Sequence, residues 1–371
     1  MAKEPIYLDN QATTPLAPEV FDAMVPWLRD NFGNPHSAHM LGRKAAAAVE
    51  VARDQVASLL PSNGNLFFAG SATEAINLGF GAANALKAAG RDKIIVLDSE
   101  HAAVRDTALS YKEHGFMVER HPIGPDGIVS LEQLGGSIDE KTALVAAMLV
   151  NNEIGVIQPV EAIANLAHEH GALMLCDVVQ GYGRVTIPDN IDMAAISAHK
   201  IYGPKGIGAL WVREGIDLPP MIHGGGQEQG IRSGTLSPAL CAGFGQAAAL
   251  CSDRHNVDAA HIQALADKAR SCFADWTVNG AMDQRYQGNI NIRRNGVDVA
   301  RLMSDVRGVA FSAGSACASG SGRPSHVLAA LGLGPAQIKS SIRLGFGRYN
   351  SLDDIEMAAE LINEAVEAQL A

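Results

Sequence analysis

Residues 172–206 read ALMLCDVVQGYGRVTIPDNIDMAAISAHKIYGPKG. Two short apolar runs stand in this stretch, Ala172–Cys176 and Met193–Ser197, and each leads into polar residues. Asp177 and Gln180 follow the first; Ala198-His199-Lys200 follows the second. Short, wholly apolar runs bounded by turn formers suit strands buried on both faces, the habit of parallel sheets covered by helices. Working outward, Pro159–His170 is an amphipathic helix closed by Gly171, and beyond it lie the apolar runs Ala143–Leu149 and Lys93–Leu97. Downstream, Gly208–Val212 is a fifth strand candidate. Strand–helix alternation of this kind implies an α/β fold, a mainly parallel sheet with helices on both faces.

Further out, Leu41, Ala45, Ala48, Val49, Ala52, Val56 and Leu59 recur at helical spacing between His39 and Leu60. After about residue 255 the texture changes. Gln287–Ile292 and Val309–Ser312 read as strands of a smaller α+β unit. Ser351 with Asp354 forms a capping box for a terminal helix whose apolar stripe is Ile355, Ile362 and Val366. The expected organisation is a large domain over residues 16–255 and a small one built from 1–15 and 256–371.

The composition of the 371 residues closes off other classes. With 47% hydrophobic residues the chain has ample surface to bury, which excludes a disordered protein. A net charge of −11, from 29 basic and 40 acidic residues, argues against a protein that tracks a nucleic-acid backbone. The start, MAKEPIYLDNQATTP, lacks the apolar core of a secretory signal, and the longest clean apolar run, Ala143–Val150, is too short to cross a bilayer. The cysteines (Cys176, Cys241, Cys251, Cys272, Cys317) are odd in number and contain no CxxC pair. That fits a reducing, cytoplasmic setting and argues against a metal site built from this chain alone.

Ligands on open α/β sheets bind beyond the carboxyl ends of the strands. Four consecutive candidates deliver polar groups there: His101 past Lys93–Leu97, Asn151 past the run at 143–150, then Asp177 with Gln180, then Ser197 to Lys200. Taken singly each has a bland reading. A lysine after a strand is usually a solvated loop residue, an aspartate there usually a helix cap, and a lone histidine usually structural. Together they fit pyridoxal phosphate, which needs an amine to bond its aldehyde, a carboxylate on its ring nitrogen and donors around its phosphate. Lys200 could be the amine, Asp177 the carboxylate and Gln180 a partner of the ring oxygen. Gly70-Ser-Ala-Thr-Glu74, ahead of an apolar helical segment, offers backbone N–H groups and Thr73 to a phosphate. Neither GxxxxGK[ST] nor a GxGxxG opening a βαβ unit is present, so P-loop and dehydrogenase readings fall away.

The segments YLDNQATTP, GNPHSAH, GSATEA, NNEIGVIQP, DVVQ, SAHKIYGPKGIGAL, HGGGQEQGIRSGT and SAGSACASG resemble the signatures of class I (NifS/IscS-like) cysteine desulfurases from Tyr7 to about Tyr349. These are fold-type I pyridoxal-phosphate enzymes of the class V aminotransferase family. The resemblance implies a homodimer that converts L-cysteine to L-alanine and leaves the sulfur as a persulfide on an enzyme cysteine. From there it would pass to an iron–sulfur scaffold protein or a sulfur carrier for tRNA thiolation, with neither nucleic acid nor membrane as a direct partner. By that resemblance Lys200 is the Schiff-base lysine, and Asp177 and Gln180 meet the ring nitrogen and ring oxygen. Ala72, Thr73, Ser197 and His199 form the phosphate cradle, and Thr235 is the phosphate ligand lent by the other subunit. His101 stacks on the ring and moves protons, Asn151 lies near ring and substrate, and Arg343 with Asn34 holds the substrate carboxylate.

Cys317 matches the persulfide cysteine, in a Gly- and Ser-rich setting, GSACASGSGRPS, that suits a mobile loop. In the family it could also transiently ligate a shared iron–sulfur cluster. The reach from Cys317 to Pro324 matches class I rather than class II, which disfavours a selenocysteine lyase. Ala198, Ser71 and Val178-Val179 depart from common family residues, as does a shorter segment after Tyr349, where the sulfur-accepting partner docks in relatives. The rival readings are an aminotransferase of the same fold, which needs no such cysteine, and a non-catalytic scaffold, which would be expected to lose Lys200 or Asp177.

Overall fold

The computed structural model describes residues 4–313 and 324–371. A seven-stranded sheet forms its centre, built from β2 (Gly64–Ala69), β3 (Lys93–Leu97), β4 (Met117–His121), β5 (Thr142–Met148), β6 (Leu173–Asp177), β7 (Met193–Ser197) and β8 (Gly208–Arg213), after a short β1 (Ile6–Tyr7). The strand order is β2-β8-β7-β6-β5-β3-β4, and only β8 runs against its neighbours. Because β8 opposes both β2 and β7, β2 points the same way as the other five, and six strands end on one edge.

The five expected strands fall within one residue of their places. Their side chains alternate between two cores. Ile95, Leu97, Val145, Ala147, Met174, Cys176, Ala194 and Ile196 pack on one face of the sheet. Ile94, Val96, Leu144, Ala146, Leu175, Met193 and Ala195 pack on the other. A strand with two dry faces has no use for polar positions, which is why these runs read as continuous apolar blocks. β4 escapes this reading because it is the edge strand, MVERH, partly open to water.

The connecting helix Val160–Glu169 buries Val160, Ile163, Ala164 and Ala167, and Gly171 follows it at φ +70, the left-handed turn that glycine takes without strain. Helix Met40–Ala57 buries Ala45, Val49, Ala52 and Val56 as expected, whereas Leu41 is exposed.

The smaller core gathers Leu8, Ile262, Leu265, Ile290, Ile292, Ile342, Leu344, Ile355, Ile362 and Val366. It covers an antiparallel sheet of β9 (Thr277–Val278), β10 (Asn289–Arg293) and β12 (Ser341–Gly345), while β11 (Val309–Ala310) pairs with β1. The terminal helix Leu352–Leu370 starts on the expected box: Ser351 Oγ accepts from Asp354 N and Asp354 Oδ2 from Ser351 N. One helix, Pro238–Cys272, serves both cores, its buried residues through Cys251 packing on the large one and those from Ile262 onward on the small one. The boundary expected at residue 255 falls inside it. No helix among the described residues is long and apolar enough to cross a membrane.

Candidate active site

The shared edge where six strands end opens into a cavity of about 580 Å³. Asp177 is the last residue of β6, and Lys200 lies in a short 3-10 turn, Ala198–Lys200, directly after β7. His101 caps helix Ala102–Ser110 after β3, and Ser71 caps helix Ala72–Phe80 after β2. Arg343 reaches the same space from β12 of the small sheet. Of the residues expected from the sequence, Ala72, Thr73, His101, Asp177, Gln180, Ser197, His199, Lys200 and Arg343 line this cavity together.

The Lys200 amine donates to the carbonyls of Gln11 (2.6 Å) and Ala12 (2.7 Å). Burial, then the positive charges of Arg343 and Arg184, pull its pKa down from 10.5 to about 8, so a sizeable neutral fraction exists near neutrality. A neutral amine is the form that attacks a carbonyl. His101 Nδ1 accepts from Ala103 N at 3.1 Å, which assigns the ring proton to Nε2. His199 is held down to about 4 by burial and by Lys200 and Lys205, so it is a neutral ring, its Nδ1 3.1 Å from Thr13 Oγ1.

Asp177 is 7% exposed and accepts one hydrogen bond, from Val179 N at 3.0 Å. Burial pushes its carboxyl above the usual range, against the opposing pull of His101, the Val179 N–H and Lys200. Among the described residues it has no ion pair. Behind it lies Glu100, whose Oε1 accepts from Met148 N at 2.8 Å; Met148 is the residue of β5 paired with Asp177. Glu100 Oε2 is buried with no hydrogen-bond partner among the described residues, and burial holds this carboxyl well above its ordinary pKa. Arg343 is 1% exposed, pairs through Nη2 with Asp9 (2.6 Å), donates through Nη1 to the Asn152 carbonyl (2.9 Å), and keeps Nε without a partner.

One end of the cavity is the first turn of helix Ala72–Phe80, where backbone N–H groups have no partner within the helix. Ser71 Oγ caps Glu74 N at 3.2 Å, and Glu74 Oε2 accepts from Gly70 N at 2.8 Å, which fixes the turn. β8 passes directly beneath. A Cβ on Gly208 would lie 2.7 Å from Ala72 N and 2.6 Å from Ser71 C, so only glycine lets the strand approach.

Three expected residues are not brought to the cavity. Asn151 is fully buried and spends its amide on backbone, donating to Ser99 O (2.9 Å) and accepting from Glu153 N (2.9 Å) and Ile154 N (3.0 Å). It shapes the turn that puts Asn152 and Glu153 on the wall instead. Asn34 and Thr235 are exposed and line no part of this chain's own cavity. Cys317 lies outside the described residues; Pro324, Ser325 and His326 line the cavity, and Ser312 touches Arg343 and Asp9. Cys176, Cys241 and Cys251 are buried as expected, Cys272 only partly.

Sequence reading missed Gln11, Arg184, Ser325 and His326. Gln180 donates to the Gln11 carbonyl (2.9 Å) and accepts from Arg184 Nη1 (2.9 Å), while Arg184 Nη2 also meets the Lys200 carbonyl. Ser325 donates to Glu153 at 2.5 Å and His326 Nε2 meets the Glu100 carbonyl at 2.9 Å. The ties of Gln180 to Gln11, Ser325 to Glu153 and His326 to Glu100 span 169, 172 and 226 positions, over which local spacing carries no signal.

The residues present fit pyridoxal phosphate. Asp177, a buried carboxyl with no ion pair among the described residues, suits a cation such as a protonated ring nitrogen, and the Ala72 and Thr73 N–H groups at the helix N-terminus suit a phosphate. Residues 6–357 match the aminotransferase class-V family. The chain belongs to that pyridoxal-phosphate-dependent family and, within it, to the cysteine desulfurases. It is 42% identical over 369 residues to cysteine desulfurase IscS of Rickettsia bellii, covering 96% of this chain and 90% of that protein. A solved NifS-like protein superposes with a TM-score of 0.91 at 30% identity, over 98% of this chain and all of the other. SspA, solved in complex with cysteine, gives a TM-score of 0.82 at 33% identity, over 93% of this chain and 99% of SspA.

Proposed function

We propose that this chain, a cysteine desulfurase, uses Lys200, His101, Arg343 and Cys317 to take L-cysteine to L-alanine with the sulfur left on Cys317. The Lys200 amine, its pKa drawn down to about 8 and its Nζ held at two carbonyls within one cavity with Asp177 and Arg343, carries this reading. Pyridoxal phosphate, when bound, supplies the electron sink for the pair left at the substrate Cα. Asp177 would set its negative charge against the ring nitrogen, Gln180 would meet the ring oxygen, and the Ala72 and Thr73 N–H groups, with Ser197 and His199, would receive the phosphate.

Arg343, on the cavity wall, binds the substrate carboxylate. Lys200 Nζ takes the Cα proton and His101 Nε2 exchanges a proton within the same cavity. The Cys317 thiolate attacks the substrate sulfur, an S–S bond forms, the Cβ–S bond breaks with its electron pair left on the carbon side, and that carbon is protonated. The balance is cysteine plus enzyme thiol to alanine plus enzyme persulfide, with no outside oxidant.

A homodimer suits Thr235 and Asn34, which are exposed and line no part of their own cavity. It also suits Leu16, Phe21, Leu28, Phe32, Met40 and Leu41, six large apolar side chains exposed within residues 16–41. The persulfide then passes, in the cytoplasm, to an iron–sulfur scaffold or a sulfur carrier. Wild-type protein given L-cysteine should release alanine and gain about 32 Da on the peptide containing Cys317, and Cys317→Ser should do neither. Sulfur found on Cys176, Cys241, Cys251 or Cys272, with Cys317→Ser fully active, refutes the assignment.

A further inference from the structure

We propose that a second cavity, of about 240 Å³, binds a small tetrahedral oxyanion of the phosphate class between Arg184 and Arg285. It shares no lining residue with the cavity above and lies on the far side of Arg184, bounded by Tyr202, Cys251, His255, Asp258, Tyr286 and Arg348 among others.

The charge balance of its wall is lopsided. Asp258 is the one carboxylate among the described lining residues, and it is already taken: Arg348 Nη2 stands 2.7 Å from Oδ2, and Arg254 Nε 3.2 Å from Oδ1. Arg184 and Arg285 have no carboxylate within ion-pair distance among the described residues. Arg184 donates to Gln180 Oε1 and to the Lys200 carbonyl, and its guanidinium lies 5.2 Å from the centre of the Tyr286 ring. Arg285 is 6% exposed and donates only to neutral acceptors, Ile154 O (2.8 Å), Asn289 O (2.9 Å) and Ala281 O (3.2 Å), with Met282 Sδ at 3.6 Å.

A buried cation normally finds an anion, because carbonyl dipoles replace hydration without neutralising the charge. Arg285 shows the deficit: burial and the nearby Arg270 lower its pKa to about 10, with no acid raising it. It still carries its proton at neutrality. Two guanidinium groups with no carboxylate partner among the described residues, on the wall of one small cavity, suit an ion with several oxygens and more than one negative charge. Exposed His255 and Ala259 on helix Pro238–Cys272 line the way in.

Inorganic phosphate titrated calorimetrically into the holoprotein tests this, because the cofactor's own phosphate then occupies the cradle at Ala72 and Thr73. Chloride at matched ionic strength is the control. One saturable phosphate site per chain is expected. Ala259→Glu sets a carboxylate at an exposed helical position on the wall and should weaken phosphate at least tenfold while leaving the melting temperature intact. Arg285→Gln should weaken it similarly. Phosphate heats indistinguishable from chloride, or binding undiminished by Ala259→Glu, overturn the proposal.

Discussion

With Lys200 in its proposed role, its pKa is the property on which cofactor capture turns, and that pKa can be moved. A fall from 10.5 to about 8 is worth roughly 3 kcal/mol between the charged and neutral amine. At about pH 7 it raises the neutral fraction from about 0.03% to about 10%, a factor of about 300. The rate at which apoprotein captures pyridoxal phosphate, followed by absorbance from about pH 6 to about pH 11, should therefore climb to a midpoint near 8 and then level off. Burial is the largest cause of the shift, followed by Arg343 and then Arg184. Arg343→Gln should raise the midpoint, and Arg184→Gln should raise it less, each slowing capture below pH 8 and leaving the alkaline plateau in place. The same depressed pKa makes the unfolded chain bind more protons than the folded one between about 8 and 10.5, so apoprotein stability should rise with pH across that window. A wild-type midpoint near 10.5, or a midpoint lowered by either substitution, refutes the reasoning.

Other consequences follow from single side chains. Asp177→Asn removes the negative charge proposed to face the ring nitrogen, and alanine formation should slow by about a hundredfold or more with cofactor still bound; an unchanged single-turnover rate would contradict the role. Glu100 binds a proton more tightly when folded than when unfolded, so wild-type stability should fall, relative to Glu100→Gln, as pH rises above the ordinary carboxyl value of 4.5. Denaturant melts of the two proteins at a series of pH values read this directly, and parallel curves would exclude it. Arg53 pairs with buried Glu228 through two contacts of 2.8 Å, so Arg53→Met strands a buried charge and should cost about 3–5 kcal/mol in the same melts. A loss under about 1 kcal/mol would mean that water reaches Glu228.

The polar residues after the strands illustrate what is legible in a chain and what is not. Ala172–Cys176 and Met193–Ser197 announce strands dry on both faces, and chain connectivity alone then requires Asp177 and Lys200 to emerge near the strand ends. Glycine at 171, serine at 351 and the Ser71 cap ahead of Ala72 are equally local, because caps and turns act over three or four residues. The sheet order and the reversal of β8 are not local, nor is the choice of partner for each emerging side chain. Asn151 follows its strand as faithfully as Asp177 does, yet its amide is drawn into the turn at Glu153–Ile154 and Asn152 takes the wall. Arg343 meets Asp9 across 334 positions and Ser325 meets Glu153 across 172. Such pairs form only when the cores under the two sheets bring distant segments together. Residue identity and spacing thus determine which chemical groups reach the edge of the sheet, through short-range backbone geometry. Tertiary packing decides which of them are desolvated and paired, and through that the charge each carries, because burial and neighbouring ions exist only once the chain has closed on itself.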